Sequence, residues 1–282
     1  MSLNFNHISA LWERACKDMI DPPRGIPLPW WPRFSDLLGG LRPNELTLLC
    51  APTGTGKTEL LANISAQLCL SKTSHFVAPV ETGDVDFVKR IASSLDKRQY
   101  NSGEPISPEA VASLTTRNLD LVKNAPVYIS TYDNRVAIEE MINLLKYMHQ
   151  VYGIEVALLD NLNFFLDIVS TTMERAEMDS AIHDFVMLAK KLPFHTILIV
   201  HPKKTDGGRV TSEFDIKGSS TAVQEASNVL LFNPPKIDDV ANEARRSSDR
   251  EFIFRKIRRR GWNVGKPVWL GYQTGRLAEY TK

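Results

Sequence analysis

The sequence predicts an α/β fold: a mostly parallel, twisted sheet flanked by helices, with an antiparallel hairpin added at one edge. Short apolar runs alternate with helix-period segments between residues 46 and 200. That is the rhythm of strand–helix–strand units whose strands lie parallel. The runs themselves, such as Leu46 to Cys50 and Ile154 to Asp160, are of the kind that forms buried strands. Late in the chain, Glu251 to Ile257 and Pro267 to Tyr272 flank Arg258 to Gly265 with no helix between them, which predicts the hairpin.

Ile8 to Met19 places Leu11, Trp12, Ala15, Cys16 and Met19 on one helical face, and Asp21-Pro22-Pro23 ends it. Such a helix packs on its own domain or docks on a neighbour. Gly25 to Leu41 follows, with Trp30 and Trp31 read as packing residues. After the strand Leu46 to Cys50, Glu59 to Leu70 reads as a helix with Leu60, Leu61, Ile64 and Leu68 inward. His75 to Val80 is the second strand, Val85 to Leu95 a helix, and 98–125 helix and loop. Pro126 to Thr131 is the third strand, Arg135 to Tyr152 a helix, Ile154 to Asp160 the fourth strand. Met178 to Lys191 is a helix and Thr196 to Val200 the fifth strand. A short helix opens at Gly218-Ser219-Ser220, and Val229 to Phe232 is another strand. Ile237 to Arg250, after Pro234-Pro235, reads as an exposed insertion.

Within that frame, Ala51-Pro52-Thr53-Gly54-Thr55-Gly56-Lys57-Thr58 joins the first strand to its helix. This is a phosphate-binding loop with Ala where the stricter pattern has Gly. Gly54 and Gly56 let successive N–H groups face a phosphate, Lys57 supplies a charge to β and γ oxygens, and the Thr58 hydroxyl can hold Mg²⁺. The fourth strand ends in Asp160, about 100 residues later, in the form that binds Mg²⁺ through water opposite Thr58. Glu81 ends the second strand, where a base orients an attacking water; a plain helix-start role fits its position equally. His201 ends the fifth strand. Ligands bind at the carboxyl ends of such strands, and the loop, Glu81, Asp160 and His201 all fall there.

Composition limits the alternatives. The chain has 282 residues, 43% hydrophobic and 24% charged, with a net charge of +1. These are ordinary values for a globular protein, and the balance of charge names no partner. Cys16, Cys50 and Cys69 lack metal or disulfide spacing, which fits a reducing, cytoplasmic setting. No apolar run reaches the roughly 18 residues of a membrane span.

Together, six stretches resemble the RecA-like motor domain of ring-shaped replicative DNA helicases, the DnaB superfamily, nearest its Twinkle and phage primase-helicase branch. They are APTGTGKT at 51–58, PVETG around Glu81, LLDNLNF at 158–164, LIVHPKK at 198–204, DIKGSSTAVQEASNVLLF at 215–232, and Lys256-Ile257-Arg258 followed by Gly261. The resemblance covers roughly residues 25–280. It implies a RecA-like P-loop NTPase fold over 25–282, preceded by a linker helix at 1–24. It also implies ATP and Mg²⁺ as ligands, single-stranded DNA as partner, a homo-hexameric ring, and a primase or loader alongside.

The resemblance also implies roles. Glu81 polarises the attacking water, His201 senses the γ-phosphate, and Arg258 with Lys256 reaches the γ-phosphate held by the next subunit. Arg259 and Arg260 adjoin Arg258, so which arginine is the finger stays open, as does a solvated basic run. Tyr272 lies near the adenine or simply packs on the sheet. Lys203, Lys204, Arg209, Lys217, Gly218 and Ser219 match the channel segment that tracks one strand by its backbone, with a polar surface loop as the plain alternative. Ala51, the single helix before Gly25, and the long charged stretch 237–250 depart from the family pattern. A RecA- or KaiC-like ATPase, or a nucleotide-gated loader that hydrolyses poorly, are the competing readings.

Overall fold

A computed structural model describes residues 7–132, 134–166, 171–203, 208–216 and 220–280. Helices α1 (Ile8–Ile20) and α2 (Pro32–Leu38) precede strand β1 (Leu46–Cys50). Next come α3 (Lys57–Leu70), β2 (His75–Pro79), α4 (Asp84–Asp96), α5 (Pro108–Arg117), α6 (Leu119–Asn124) and β3 (Val127–Ile129). The chain continues through α7 (Ile138–Tyr152), β4 (Val156–Asp160), α8 (Thr171–Lys191), β5 (His195–Val200), α9 (Ser220–Glu225) and β6 (Asn228–Asn233). It closes with α10 (Ile237–Ala241), β7 (Arg250–Ile257), β8 (Pro267–Gln273) and β9 (Arg276–Glu279).

The strands form one sheet in the order β3-β2-β4-β5-β1-β6-β7-β8-β9. Every pairing from β3 to β6 is parallel, and β7, β8 and β9 pair antiparallel. The expected hairpin is therefore a three-stranded meander. Its last turn, Thr274-Gly275, has positive φ at both residues, the geometry that returns a strand directly on its neighbour. β9 is too short for its pattern to stand out. α8 begins seven residues before its expected start at Met178.

β1 explains its own unbroken apolar run, because it is covered on both faces. Leu46, Leu48 and Cys50 join one core with Met141, Leu145 and Phe185, while Leu49 joins the other with Leu60, Leu61 and Ile64. Trp31 is fully buried and donates from Nε1 to the Leu277 carbonyl at 2.8 Å, locking α2 to β9. Trp30 lies under the Arg276 guanidinium, 4.0 Å from its ring centre. Both tryptophans pack, as expected.

His75 and His195 sit inside the sheet's ends, fully buried, bonded to Ser65 and Thr47. Burial drives each imidazole down to about 4, so both are neutral at ordinary pH. By contrast, α1 buries none of its residues, and Leu11, Trp12, Met19 and Ile20 stay exposed. It does not use its apolar face on its own domain. The three cysteines are unpaired, and among the described residues no helix is long and apolar enough to cross a membrane.

Stretch 237–250 departs from the expected loose insertion. Ile237 is exposed, but the end of the stretch is tied down: Asp249 is buried, and Arg245 lies over the Trp269 ring at 4.1 Å.

Candidate nucleotide-binding active site

Adjacent strands β2, β4, β5 and β1 deliver the site in a row at their carboxyl ends. Neighbouring strands lie about 4.8 Å apart, so residues just past their ends share one shallow crevice. Pro79 pairs with Asp160 and Cys50 with Val200, which sets Ala51 level with His201 and Asp160 two residues short of Glu81.

The loop after β1 is shaped by its glycines. Gly54 and Gly56 have φ of 77° and 90°, a region open to Gly at little cost. A Cβ on Gly54 would meet nothing within 4 Å, leaving room above the backbone for a bulky anion. Thr55 Oγ1 and Lys57 Nζ both donate to the Pro52 carbonyl, at 2.7 and 3.2 Å, and fold the loop over itself. α3 starts at Lys57 without a side-chain cap, so its first N–H groups are free to hold phosphate oxygens. Lys57 is 7% exposed; burial lowers its pKa, while Asp160 and Glu81 act to raise it.

Beneath the loop, Thr58 Oγ1 donates to Asp160 Oδ2 at 2.7 Å. Asp160 is fully buried and its Oδ1 has no hydrogen-bond partner. Burial first, with the charge of Glu81 in addition, pushes this carboxyl up to about 6 against the pull of Thr58 and Lys57. An orphaned carboxylate oxygen beside a hydroxyl fits Mg²⁺, which takes few protein ligands and fills its shell with phosphate oxygens and water. Among the described residues there is no cluster of three His, Cys, Asp or Glu side chains, so a dedicated protein cage for a metal is not formed there.

Glu81 is exposed and accepts from Asn161 Nδ2 at 2.8 Å. His201, directly after β5, is half-buried. Three further residues enter the site that the sequence did not single out. Asn161 is one, although it adjoins Asp160. Arg90 pairs with the buried Glu59 at 2.9 Å. Arg250, the first residue of β7, donates from Nε to the Thr55 carbonyl at 2.6 Å. No local pattern marks Arg250, because its partner lies almost two hundred residues away. Arg90, Glu59 and Arg250 line a cavity of about 250 Å³ with Thr55, Gly56 and Tyr272. Tyr272 borders this space and also packs on the core.

Lys256 and Arg258 lie elsewhere. β7 runs antiparallel to β6, with Ile257 opposite Asn228, so both cations stand at the amino edge of the parallel strands. The chain's own phosphate loop lies at the other edge, roughly 15–20 Å away by strand length. Lys256 Nζ donates to the Gln224 carbonyl and Arg258 to the Glu225 carbonyl at 3.0 Å, capping α9. Arg259, by contrast, faces the buried carboxylate of Glu45 at 3.4 Å, and Arg260 donates to the Asp36 carbonyl.

Of the expected strand-tracking residues, Lys203 is exposed and donates to the Phe214 carbonyl at 2.8 Å. Arg209 forms a half-buried ion pair with Glu251 at 2.5 Å, so its charge is met within the domain. Lys204, Lys217, Gly218 and Ser219 lie outside the described residues.

Many solved structures share this architecture. The ATPase domain of G40P superposes with a TM-score of 0.77 at 14% identity, covering 99% of this chain and 100% of that one. A DnaB-like replicative helicase, studied for its interactions with primase, gives 0.75 at 14% identity, covering 99% and 68%. At that identity the likeness is one of fold: a RecA-like P-loop NTPase sheet with added antiparallel strands. A family model described as an AAA domain matches residues 31–207, a span that holds the phosphate loop, Glu81, Asp160 and His201. With more than half of its length so matched, the chain belongs to the AAA domain family.

Proposed function

We propose that this protein is an ATP-hydrolysing motor that assembles as a ring, tracks along single-stranded DNA and unwinds duplex ahead of it. The observation that carries the reading is the Thr58–Asp160 pair beneath the phosphate loop, with one Asp160 oxygen left unpartnered and Glu81 beside it.

In this reading Lys57 and the N–H groups at the start of α3 hold the β- and γ-phosphates. Glu81 accepts the proton of a water as its oxygen attacks the γ-phosphorus, the bond to the bridging oxygen breaks, and ADP and phosphate leave. Thr58 and Asp160 would hold Mg²⁺, which neutralises charge on the phosphate oxygens when bound. His201 senses the γ-phosphate; a histidine there suits the Twinkle-like branch rather than a glutamine-bearing one. Tyr272 and Arg250 flank the base side.

Arg258 and Lys256 complete the site of the neighbouring subunit, because strand direction keeps them from their own. The unused apolar face of α1 suits docking on that neighbour, and a closed hexamer satisfies both joints. Lys203 and Lys204, with Lys217, Gly218 and Ser219, would line the channel and contact the DNA backbone, with affinity that falls as salt rises. A primase or loader is the natural companion of such a ring.

The test is ATP turnover with and without single-stranded DNA, with mass measured by light scattering in the same buffer. The expected result is strong stimulation by DNA, a ring-sized mass, and loss of turnover in Lys57→Ala. Turnover that Lys57→Ala leaves intact removes the proposed site. A monomer that binds ATP but does not turn over favours the loader reading.

A further inference from the structure

We propose that Asn161 is a positioning residue for Glu81, one that sets the rate of hydrolysis rather than the affinity for nucleotide. This rests on the reading of Glu81 as the residue that activates water. Glu81 is exposed at the tip of β2, where a free glutamate samples several rotamers. Asn161 is 2% exposed and immobilised on both sides of its carboxamide. Its Oδ1 accepts from the Asn163 N–H at 3.0 Å and so caps the 3₁₀ turn Leu162–Phe165. With the oxygen committed to that cap, the NH₂ must point the other way, and it donates to Glu81 Oε2 at 2.8 Å.

The consequence is a carboxylate with one oxygen anchored and the other left for water. A buried amide fixes the direction of an exposed base without adding charge to a crevice that already holds Asp160. Anchoring of this kind acts on the reacting geometry: displacement of a catalytic group by about 1 Å can cost a hundredfold in rate. It does not touch the phosphate loop, so nucleotide binding stays as it is.

Two substitutions separate the cap from the tether. Asn161→Ser keeps a hydroxyl that caps the turn but cannot reach Glu81. Asn161→Asp keeps the cap and places an anion against Glu81. The experiment is DNA-stimulated ATP hydrolysis by the assembled protein, with melting temperatures recorded alongside. Asn161→Ser should lower kcat about ten- to hundredfold, with KM within twofold and an unchanged melting temperature. Asn161→Asp should lose more. In a Glu81→Gln background, Asn161→Ser should add nothing, because the residue it orients is already gone. A kcat within twofold of wild type in Asn161→Ser, or an undiminished effect in the Glu81→Gln background, overturns the proposal. If Glu81→Gln itself leaves turnover intact, it is the reading of Glu81 that falls.

Discussion

Arg250 Nε donates to the Thr55 carbonyl at 2.6 Å, so the first residue of β7 is hydrogen-bonded to the phosphate loop at the centre of the sheet. The same guanidinium also donates from Nη1 to the Ser247 and Asp249 carbonyls, at 2.9 and 2.8 Å. One side chain thus fixes the loop from outside its own sequence neighbourhood.

Removing it should loosen the loop. Arg250→Ala is expected to raise the KM for ATP about tenfold or more, the scale of a charge-assisted hydrogen bond lost, while the fold survives. Arg250→Lys should not rescue it, because a single ammonium cannot reproduce a planar fork of donors. Nucleotide titrations on both variants check this, and wild-type affinity in Arg250→Ala counts against it.

A second prediction concerns the shared site. Arg258→Ala should cut turnover on the order of 10³-fold, as loss of an arginine finger does. Mixing these subunits with Lys57→Ala subunits, also inactive alone, should restore activity at joints where an intact loop meets an intact arginine. Mixtures that stay silent at every ratio argue that Arg258 does not act across subunits.

The third prediction follows from Asp160, whose carboxyl is raised from its ordinary 3.8 to about 6 by burial. A carboxylate raised in the folded state opposes folding once ionised, so stability is given up as pH climbs through this window. Asp160→Asn should therefore stabilise the metal- and nucleotide-free protein near pH 7.5, by about 3 kcal/mol at most, while abolishing turnover. Below the ordinary 3.8, at about pH 3, the difference should vanish. A variant no more stable than wild type at pH 7.5 would falsify the claim.

The histidines predict the opposite slope. His75 and His195 are held at about 4, below the ordinary 6.5, so the unfolded chain binds protons that the folded one refuses. Their contribution is intact above pH 6.5 and is lost as pH falls toward 4, on the order of 3 kcal/mol each. Two histidines outweigh one aspartate, so net stability should fall on acidification. Denaturant melts between pH 4.5 and 7 read the slope, which His195→Gln should flatten.

Much of this molecule is legible in its sequence because the signals are local. A glycine-shaped loop after an apolar strand, and an acid at the end of another, fix Lys57, Thr58 and Asp160 by short-range rules. The central parallel strands β1 and β4 declare themselves because burial on both faces leaves them nearly continuously apolar. β9 is hidden because four residues are too few to show a period, and Thr274-Gly275 looks like any surface turn. Arg250 and Asn161 are hidden for a different reason. One reaches the site only through sheet order, the other through the hydrogen bond of a 3₁₀ turn, and neither leaves a mark in spacing. Arg209 shows the reverse: a basic residue in a basic stretch, neutralised by Glu251 from a distant strand.

The direction of β7 has a last consequence for how such subunits count. Under the assembly proposed here, a row of n chains joined edge to edge has n−1 complete sites, because the final loop meets no arginine and the first arginine meets no loop. Closing the row adds the missing one. A ring that parts at one joint to admit a strand of DNA gives up one engine while it is open and regains it on closing. Threading and full power therefore exclude each other at any one joint, and loading is recorded as a stepwise gain in hydrolysis.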